Sequence, residues 1–522
     1  MPVARTHSIA LVGVEGHPVE IESDIENGLP GLLLVGLPDA ALREARDRIR
    51  AAIINSGEQW PQRRITVGLS PASLPKRGSG FDLGIAVAVL AAAGAVPAAA
   101  IDGVAFLGEL GLDGQLRPVR GVLPAVAAAA VAGFRRVAVA QANAAEAALV
   151  PGLRVLGAET LCGLLSWFRG DRGGGVADRV EVLEGGTFPV QAKAAAGPRS
   201  GGPPADLADV LGQPAARRAA EICAAGGHHL SLLGPPGVGK TMLAERIPTV
   251  LPRLDRAAAL EVTSIHSVAG DLPAGGQLIT DPPFCAPHHT ATKAAIVGGG
   301  SGVIHPGAAS LAHRGCLFLD EAPEFGRDVL DALRQPLESG EVVVARLGVT
   351  ARFPARFTLV LAANPCPCAK GPGPQAACSC TPGARRRYLA RLSGPLLDRV
   401  DVKVEFLPVG RAELLSDRRF AESSAAVALR VAEARRRAAD RLKDTPWRLN
   451  AEIPGSELRR SFAPGPGALV PLERAMDLGE ISARGVHRVI RVSWTLADLA
   501  GVARPTLAET SYALGLWLGV AR

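Results

Sequence analysis

The stretch HLSLLGPPGVGKTMLAERI, residues 229–247, decides the fold class of this chain. An apolar run from Leu230 to Leu233 comes directly before the loop GPPGVGKT, and a helical pattern continues from Thr241 to Ile247. A strand, a glycine-rich loop and a helix in this order are typical of a phosphate-binding loop in a parallel α/β sheet. The sequence therefore predicts an α/β core built around this loop.

The same loop predicts a site for ATP and Mg²⁺. Its glycines allow backbone N–H groups to converge on phosphate oxygens, and the following helix adds the positive end of its dipole. Lys240 would reach the β and γ phosphates, and the hydroxyl of Thr241 would ligate Mg²⁺. The expected nucleotide-binding residues of the loop are Gly234, Pro235, Pro236, Gly237, Val238, Gly239, Lys240 and Thr241.

Two later strands end in polar residues that would complete the site. In CLFLDE, residues 316–321, we expect Asp320 to bind Mg²⁺ and Glu321 to polarise the attacking water, although acids at a strand end can also cap a helix. The run TLVLAAN ends at Asn364, which we expect to orient the water or contact the γ phosphate. The alternative for Asn364 is a turn residue before Pro365.

Composition limits the class of protein. The chain has 522 residues, 48% of them apolar, which is enough for several cores and excludes global disorder. Its formal charge of +7 is compatible with a nucleic-acid partner and equally with a mildly basic enzyme. We expect a cytoplasmic protein, because no signal-peptide pattern is visible and the cysteines are few. The uncharged run from Leu83 to Ile101 favours a buried helix followed by a loop over a membrane span.

Four regions follow one another along the chain. Residues 1–170 alternate strand-like and alanine-rich helical runs, which predicts an α+β domain, and Ala40 to Asn55 has a helical pattern. Residues 171–205 are rich in glycine and proline and are interpreted as a linker. The α/β core is predicted at 206–408 and a helical domain at 409–522.

Two Cys-x-Cys pairs, separated by a loop rich in glycine and proline, predict a metal site. Four thiolates so close in sequence fit a tetrahedral Zn²⁺ centre, although the usual Cys-x-x-Cys spacing is absent. The alternative is a cluster of reduced thiols without metal. Because the first pair follows Asn364 directly, a closed loop here would hold the preceding strand in place. The four residues are Cys366, Cys368, Cys378 and Cys380.

Longer motifs give the chain a resemblance over nearly its whole length to the magnesium-chelatase-like AAA+ proteins of the YifB/ComM type. The resemblance implies an AAA+ core with a helix-2 insert, a helical lid and a homo-oligomeric ring, a hexamer, with ATP at the subunit interfaces. The motifs are GLPGLLLVGLPDAALREARDRIRAAIINSG at 28–57, APHHTATKAAIVGGGSGVIHPGAASLAHRGCLFLDEAPEF at 286–325, LAANPCPC at 361–368, SGPLLDRVD at 393–401 and ISARGVHRVIRVSWTLADLAG at 481–501.

The resemblance assigns roles to two arginines. Arg399 in LLDRVD would be the arginine finger, which reaches a neighbour's γ phosphate, because a guanidinium stabilises charge on the transferring phosphoryl group. Its alternative is a structural salt bridge with Asp398 or Asp401. Arg484 in SARG would be the sensor arginine of the lid and contact ATP in its own chain, and Arg488, one helical turn on, could take its place.

The resemblance also places the glycine run Gly298 to Gly300, and His288, His289 and Lys293 before it, on an insert that faces the ring pore. A glycine loop with a basic residue can grip and release a phosphate backbone, whereas ordinary loop polarity is the alternative for the histidines. Family members carry Gly-Glu-x-Ser where this chain has GAAS at 307–310, so a coupling role for that carboxylate is in doubt here.

The N-terminal region resembles the proteolytic domain of Lon, of the ribosomal-S5 domain 2 type. The stretch GELGLDGQLRPVRGVLPAVAAA, from Gly108, places Leu123 at the position of the catalytic lysine. Ser79 lies near the nucleophile segment, but a serine hydroxyl needs a base to be activated. We therefore expect no peptidase activity, and either a structural role or a platform that binds DNA or a partner.

The motifs are compatible with three functions. The first is a DNA-stimulated ATPase motor, a helicase of branch migration in recombination or natural transformation, with branched or single-stranded DNA as partner. The arginine-rich run from Arg430 to Arg441 supports it, unless that run is simply a solvated helix face. The second is a magnesium-chelatase-type ATPase that remodels a partner protein. The third, a Lon-like protease, is disfavoured by Leu123.

Overall fold

A computed structural model describes residues 3–36, 40–76, 78–171, 179–186, 205–272, 276–300, 304–346, 349–370 and 378–520. Within these ranges the chain forms an N-terminal sheet domain, a parallel-sheet core and a helical C-terminal part, which confirms the predicted multidomain α/β class. No helix in the described ranges has the length and apolar character needed to cross a membrane.

The N-terminal domain is built on a mixed eight-stranded sheet of order β10-β9-β8-β5-β1-β2-β4-β3. A two-stranded ribbon, β6 with β7, lies outside that sheet. The strands are β1 (Ala4–Val12), β2 (Glu15–Glu26), β3 (Gly31–Val35), β4 (Arg64–Ser70), β5 (Val104–Leu107), β6 (Glu109–Leu110), β7 (Leu116–Arg117), β8 (Arg136–Ala140), β9 (Arg154–Ala158) and β10 (Glu181–Glu184). The helices are α1 (Ala40–Asn55), α2 (Asp82–Ala92), α3 (Ala98–Ile101), α4 (Val122–Val131), α5 (Gln141–Ala147) and α6 (Leu161–Arg169).

Helix α2 explains the uncharged run that resembles a membrane span. Its residues from Asp82 to Leu90 are all buried, because the helix packs on β1 and β2. Gly84 is needed there, since a Cβ at this position would lie 2.8 Å from the side chain of Ile21. The run is therefore the central helix of a folded domain, as the sequence predicted, followed after a turn by α3.

The predicted linker at 171–205 is wrong in one part. Residues 181–184 form β10, which pairs antiparallel with β9 at the edge of the sheet. The alternation of polar and apolar residues from Glu181 to Glu184 is too short to predict a strand. The segment becomes a strand because it pairs with β9. Residues 172–178 and 187–204 of the predicted linker lie outside the described residues.

The core is a parallel five-stranded sheet of order β12-β13-β16-β11-β17, with a separate hairpin β14–β15. The strands are β11 (Leu230–Leu233), β12 (Phe284–Cys285), β13 (Cys316–Leu319), β14 (Glu341–Arg346), β15 (Val349–Pro354), β16 (Thr358–Ala363) and β17 (Val402–Glu405). The helices are α7 (Pro214–Gly226), α8 (Lys240–Val250), α9 (Arg256–Ala269), α10 (Lys293–Val297), α11 (Ala308–Leu311), α12 (Arg327–Ala332), α13 (Pro336–Ser339), α14 (Pro382–Leu389) and α15 (Gly394–Leu397).

The C-terminal part, called the lid below, is helical and packs on the core. Helices α17 and α19 contact α7, and α17 also contacts α8, the helix that follows the phosphate loop. Helices α17 and α19 are amphipathic, and their apolar residues are buried in one cluster with those of the core sheet. The lid helices are α16 (Arg411–Asp417), α17 (Ser424–Leu442), α18 (Val470–Asp477), α19 (Ala483–Ala500) and α20 (Leu507–Leu518).

The N-terminal domain is joined to the core through α4 and α9. The carboxylate of Glu146 accepts hydrogen bonds from the backbone N–H of Leu123, at 2.9 Å, and from the hydroxyl of Ser267 on α9. Burial raises the pKa of Glu146, although these donors oppose the shift. The segment around Leu123 is therefore part of a domain junction.

Candidate nucleotide site

The phosphate loop begins at the carboxyl end of β11. Gly234 is required by close packing, because a Cβ there would lie 2.6 Å from the Cβ of Phe406. Gly237 and Gly239 have φ values of 79° and 96°, a backbone region that glycine adopts most easily. Pro235, Pro236 and Val238 fill the turn between them. The loop thus has the backbone that phosphate binding needs. Gly234 is required by close packing, whereas Gly237 and Gly239 are required by their backbone conformation.

Lys240 is buried at the start of α8, with 7% of its surface exposed. Its Nζ donates hydrogen bonds to the carbonyl oxygens of Gly234, at 2.7 Å, and Pro235, at 2.8 Å, and to Oδ1 of Asn364 at 3.1 Å. Burial lowers the pKa of Lys240, and Asp320 and Glu321 oppose this shift. The two residues predicted to contact the γ phosphate, Lys240 and Asn364, are therefore in direct contact.

The predicted Mg²⁺ ligands also meet. Thr241 Oγ1 donates to Asp320 Oδ2 at 2.8 Å, and the backbone N–H of Glu321 donates to Asp320 Oδ1 at 2.9 Å. Neighbouring parallel strands end at the same edge of the sheet, and β16, which lies between β11 and β13, brings the ends of all three strands together. Glu321 has a left-handed backbone, with φ 49° and ψ 43°. The site residues lie together at the edge that the sequence indicates.

Two further residues at this edge were missed by the sequence reasoning as part of the site. His289 Nδ1 lies 3.6 Å from Glu321 Oε2, and its ring contacts that of His288 in a tilted arrangement, with 4.1 Å between the ring centroids. Tyr388 is buried beside the backbone N–H of Asn364, and burial raises the pKa of its hydroxyl to about 12. Both come from segments far away in sequence, so only the fold shows their proximity.

The four cysteines form one cluster directly after Asn364. The Sγ atom of Cys366 lies 3.2 Å from that of Cys368 and 3.4 Å from that of Cys378, and all four Sγ atoms lie within 4.8 Å of one another. Tetrahedral Zn²⁺ with bonds of about 2.3 Å separates its sulfur ligands by about 3.8 Å. The cluster, completed by Cys380, thus has the chemistry and size of a Zn²⁺ site. The loop at 371–377 lies outside the described residues.

Arg399 and Arg484 converge on one carboxylate, that of Glu338. Arg484 Nη2 donates to Glu338 Oε1 at 2.7 Å, and Arg399 Nη2 donates to the same oxygen. The anticipated salt bridges of Arg399 with Asp398 or Asp401 do not account for its position, because its partner is Glu338 and Asp401 binds Arg488 at 2.9 Å. Arg488 is thereby engaged elsewhere, which leaves Arg484 as the lid arginine beside Arg399.

This pair lies at the amino edge of the core sheet, opposite to the phosphate loop. Glu338 and Arg484 line a cleft of about 900 Å³ together with His229, Gly315 and Thr358, which precede or begin β11, β13 and β16. The phosphate loop follows the other end of β11. The expectation that Arg484 contacts ATP in its own chain is therefore wrong for this arrangement, because Arg484 lies at the opposite edge of the sheet from its own phosphate loop.

The cleft has an excess of positive charge. Eight arginines and three carboxylates line it. Two of the arginines have backbone partners in place of acids: Arg435 donates to the carbonyl of Ala224 and Arg491 to that of Ile453. Burial lowers the pKa of both to about 10. The arginines are Arg253, Arg314, Arg356, Arg435, Arg448, Arg484, Arg488 and Arg491.

The arginine-rich run from Arg430 to Arg441 is mostly used inside the protein. Arg430 binds Glu221 and Glu422, Arg435 donates to the carbonyl of Ala224, and Arg441 binds Asp498. The remaining arginines of the run also have partners on α17 or α19. The run therefore holds the lid together, and the support that it gave to DNA binding is withdrawn.

The residues predicted to face a ring pore lie around α10. Lys293 is exposed at the start of α10, and Gly299 forms a β-bridge with His305. Residues 301–303 lie outside the described residues.

In the N-terminal domain, the Ser79 hydroxyl donates to Glu109, and Lys76 donates to backbone carbonyls of Gly36 and Pro71.

Three family models match the chain. The model described as magnesium chelatase, subunit ChlI, matches residues 206–414. A model for subunit ChlI of Mg-chelatase matches residues 21–143, and one for the ChlI C-terminal part matches residues 421–516. Each of the three observed parts of the fold is therefore similar to a magnesium-chelatase model.

Whole-length relatives are also found. The chain is 52% identical over 514 residues to an uncharacterized protein of Mycobacterium tuberculosis, covering 98% of each chain. It is 41% identical over 515 residues to the competence protein ComM of Haemophilus influenzae, covering 98% of this chain and 97% of that one. It is 41% identical over 500 residues to the uncharacterized protein YifB of Escherichia coli, covering 96% and 94%.

Proposed function

Because the chain belongs to the YifB/ComM family of magnesium-chelatase-like AAA+ ATPases, we propose that it is an ATP-driven ring motor that acts on DNA. The observation that carries the proposal is the contact of Lys240 with Asn364 beside that of Thr241 with Asp320. Lys240 would bind the phosphates, and Thr241 and Asp320 would hold Mg²⁺, which when bound neutralises phosphate charge. Glu321 would take the proton of the attacking water.

A ring of identical subunits, a hexamer in the family arrangement, would complete each site. Arg399 and Arg484 lie on the face opposite to their own phosphate loop. A heterologous interface brings that face of one subunit against the loop edge of the next. Arg399 and Arg484 would then supply positive charge to the neighbour's γ phosphate, which is the task of an arginine finger.

DNA as the partner is supported by the relative named competence protein ComM and by the exposed Lys293 on the insert. The alternative, an ATPase that remodels a partner protein as magnesium chelatase does, is supported by the three family models. The magnesium-chelatase 38 kDa subunit of Cereibacter sphaeroides aligns over only 13% of this chain, whereas ComM aligns over 98% of it. The similarity to ComM therefore favours DNA over a partner protein.

A four-way DNA junction should stimulate ATP hydrolysis by the full chain severalfold. In the same reaction the strands of the junction should move and separate. Lys293→Ala should reduce this stimulation, because one phosphate contact is lost, and should flatten the salt dependence of junction binding by about one unit of slope. Lys443→Ala, a change of another exposed lysine, should keep the wild-type stimulation. Steady-state ATPase rates and gel-resolved junctions give the measurement. No stimulation and no strand movement would refute the DNA motor.

We further propose that the cysteine cluster binds one Zn²⁺ per chain. The purified protein should contain about one zinc per chain, and chelation should lower its melting temperature, because the loop after β16 loses its cross-link. Cys366→Ser should lose the metal, whereas Cys162→Ser, a half-exposed cysteine outside the cluster, should retain it. Elemental analysis and thermal melts are the measurements. A metal-free protein whose stability ignores chelators would contradict this proposal.

A further inference from the structure

Glu338 binds two arginines in the manner of a phosphate. A single carboxylate oxygen, Oε1, accepts hydrogen bonds from Arg484 at 2.7 Å and from Arg399. Guanidinium groups bind carboxylate and phosphate oxygens with the same N–H donors, so a phosphate can take the place of this carboxylate. The side chain of Glu338 is 48% exposed and that of Arg399 only 4%. The acid therefore covers the outer side of a buried cation.

The guanidinium of Arg399 binds Glu338 through Nη2 and the carbonyl of Pro395 through Nη1. Burial lowers the pKa of Arg399, and Glu338 opposes the shift. Its Nε is buried and, within the described part of the chain, has no hydrogen-bond partner. Conversely, burial would raise the pKa of Glu338, but Arg399 and Arg484 outweigh it, so that this pKa is lowered and the carboxylate stays ionised. A second anion, such as a phosphate, can therefore replace the carboxylate of Glu338 at these two arginines.

Glu338 is also rigidly connected to the hairpin β14–β15. It lies on α13, and Ser339 Oγ lies within hydrogen-bond distance of the carbonyl oxygens of Gln335, at 3.1 Å, and Glu341, at 3.0 Å, across the start of β14. The backbone N–H of Ala355 donates to the carbonyl of Gly340 at 2.8 Å, which closes the base of the hairpin. A displacement of Glu338 would therefore move the base of the hairpin.

We propose that Glu338 is a placeholder for the neighbour's terminal phosphate. In a subunit without a nucleotide-bearing neighbour, Glu338 occupies the position between Arg399 and Arg484 that this phosphate takes in the ring. On assembly the phosphate displaces the carboxylate, and the release of α13 transmits the neighbour's nucleotide state to the hairpin. This inference rests on the ring in the proposed function and adds a regulatory residue to it.

The placeholder competes with nucleotide-dependent assembly, so its removal should favour the ring. The full chain would be titrated with Mg²⁺ and a non-hydrolysable ATP analogue, and the assembled fraction measured by sedimentation velocity. Glu338→Gln and Glu338→Ala should reach half-assembly at about 3- to 10-fold less analogue than wild type. The reason is that a larger fraction of subunits then has Arg399 and Arg484 free to bind the phosphate. The matched control is Glu433→Gln, which removes an acid bound to two arginines on α17.

The outcomes separate the two proposals. If wild type assembles but neither Glu338 variant shifts the midpoint, or both need more analogue, the placeholder role is refuted and the ring stands. If wild type does not assemble with any nucleotide, the ring fails and the placeholder role with it. An equal shift in Glu433→Gln would also refute it, because the effect would then come from net charge. Melting temperatures of the variants verify that all of them fold.

Discussion

Replacing Glu321 by glutamine is expected to lower the rate of ATP hydrolysis by ~100-fold or more while ATP remains bound. The carboxylate follows β13 at the edge where Lys240, Thr241 and Asp320 meet, and glutamine keeps its size but cannot accept the proton of the attacking water. Phosphate binding depends on the loop and on Lys240, which this change leaves intact. Steady-state phosphate release and equilibrium binding of a fluorescent ATP analogue measure the two effects separately.

The matched control for this change is Glu324→Gln. Glu324 lies three residues further along the chain, and its carboxylate accepts a hydrogen bond from Arg391 at 2.8 Å. This exposed ion pair is worth little, and the rate should stay within about 2-fold of wild type. If Glu321→Gln hydrolyses ATP as fast as Glu324→Gln does, Glu321 is not the general base. If it no longer binds the analogue, its role is structural.

Local patterns predicted the nucleotide edge well, because strand, turn and helix preferences act over a few residues. The helix Ala40–Asn55 and the strand Leu230–Leu233 have the bounds that the apolar pattern indicates. The contacts of Lys240 with Asn364 and of Thr241 with Asp320 follow from one rule, that parallel strands end at a common edge. Sequence therefore identified which side chains meet, although they lie 79 and 124 residues apart.

The missed features depend on how separate parts of the fold are packed. Arg484 is 146 residues from Glu338, and nothing in SARG indicates on which face of the core the lid helix α19 lies. The same holds for His289 at Glu321 and for Glu146 at Ser267. In the run from Arg430 to Arg441, charge spacing alone cannot tell an exposed face from internal ion pairs, because both have the same period.

Arg399→Ala is expected to abolish hydrolysis by its own ring and to be rescued by mixing with Lys240→Ala. An Arg399→Ala subunit keeps its phosphate loop, and a Lys240→Ala subunit keeps its arginine, so a site formed from the two is complete. If subunits mix randomly in a 1:1 ratio and sites act independently, about a quarter of the interfaces are intact. The mixture should regain about a quarter of the wild-type ATPase rate, whereas either variant alone stays inactive.

This complementation depends on geometry that a single chain cannot provide. Arg399 and Arg484 lie at the amino edge of the sheet and the phosphate loop at the carboxyl edge, so a finger that acts must do so across an interface. Arg399→Lys should not restore the rate, because an ammonium group lacks the planar fork that contacts two oxygens. A mixture that stays inactive, under conditions where wild type and variant form joint rings, would show that Arg399 does not act on a neighbour. Full activity of Arg399→Ala alone would show that Arg399 serves only to hold Glu338 and the lid.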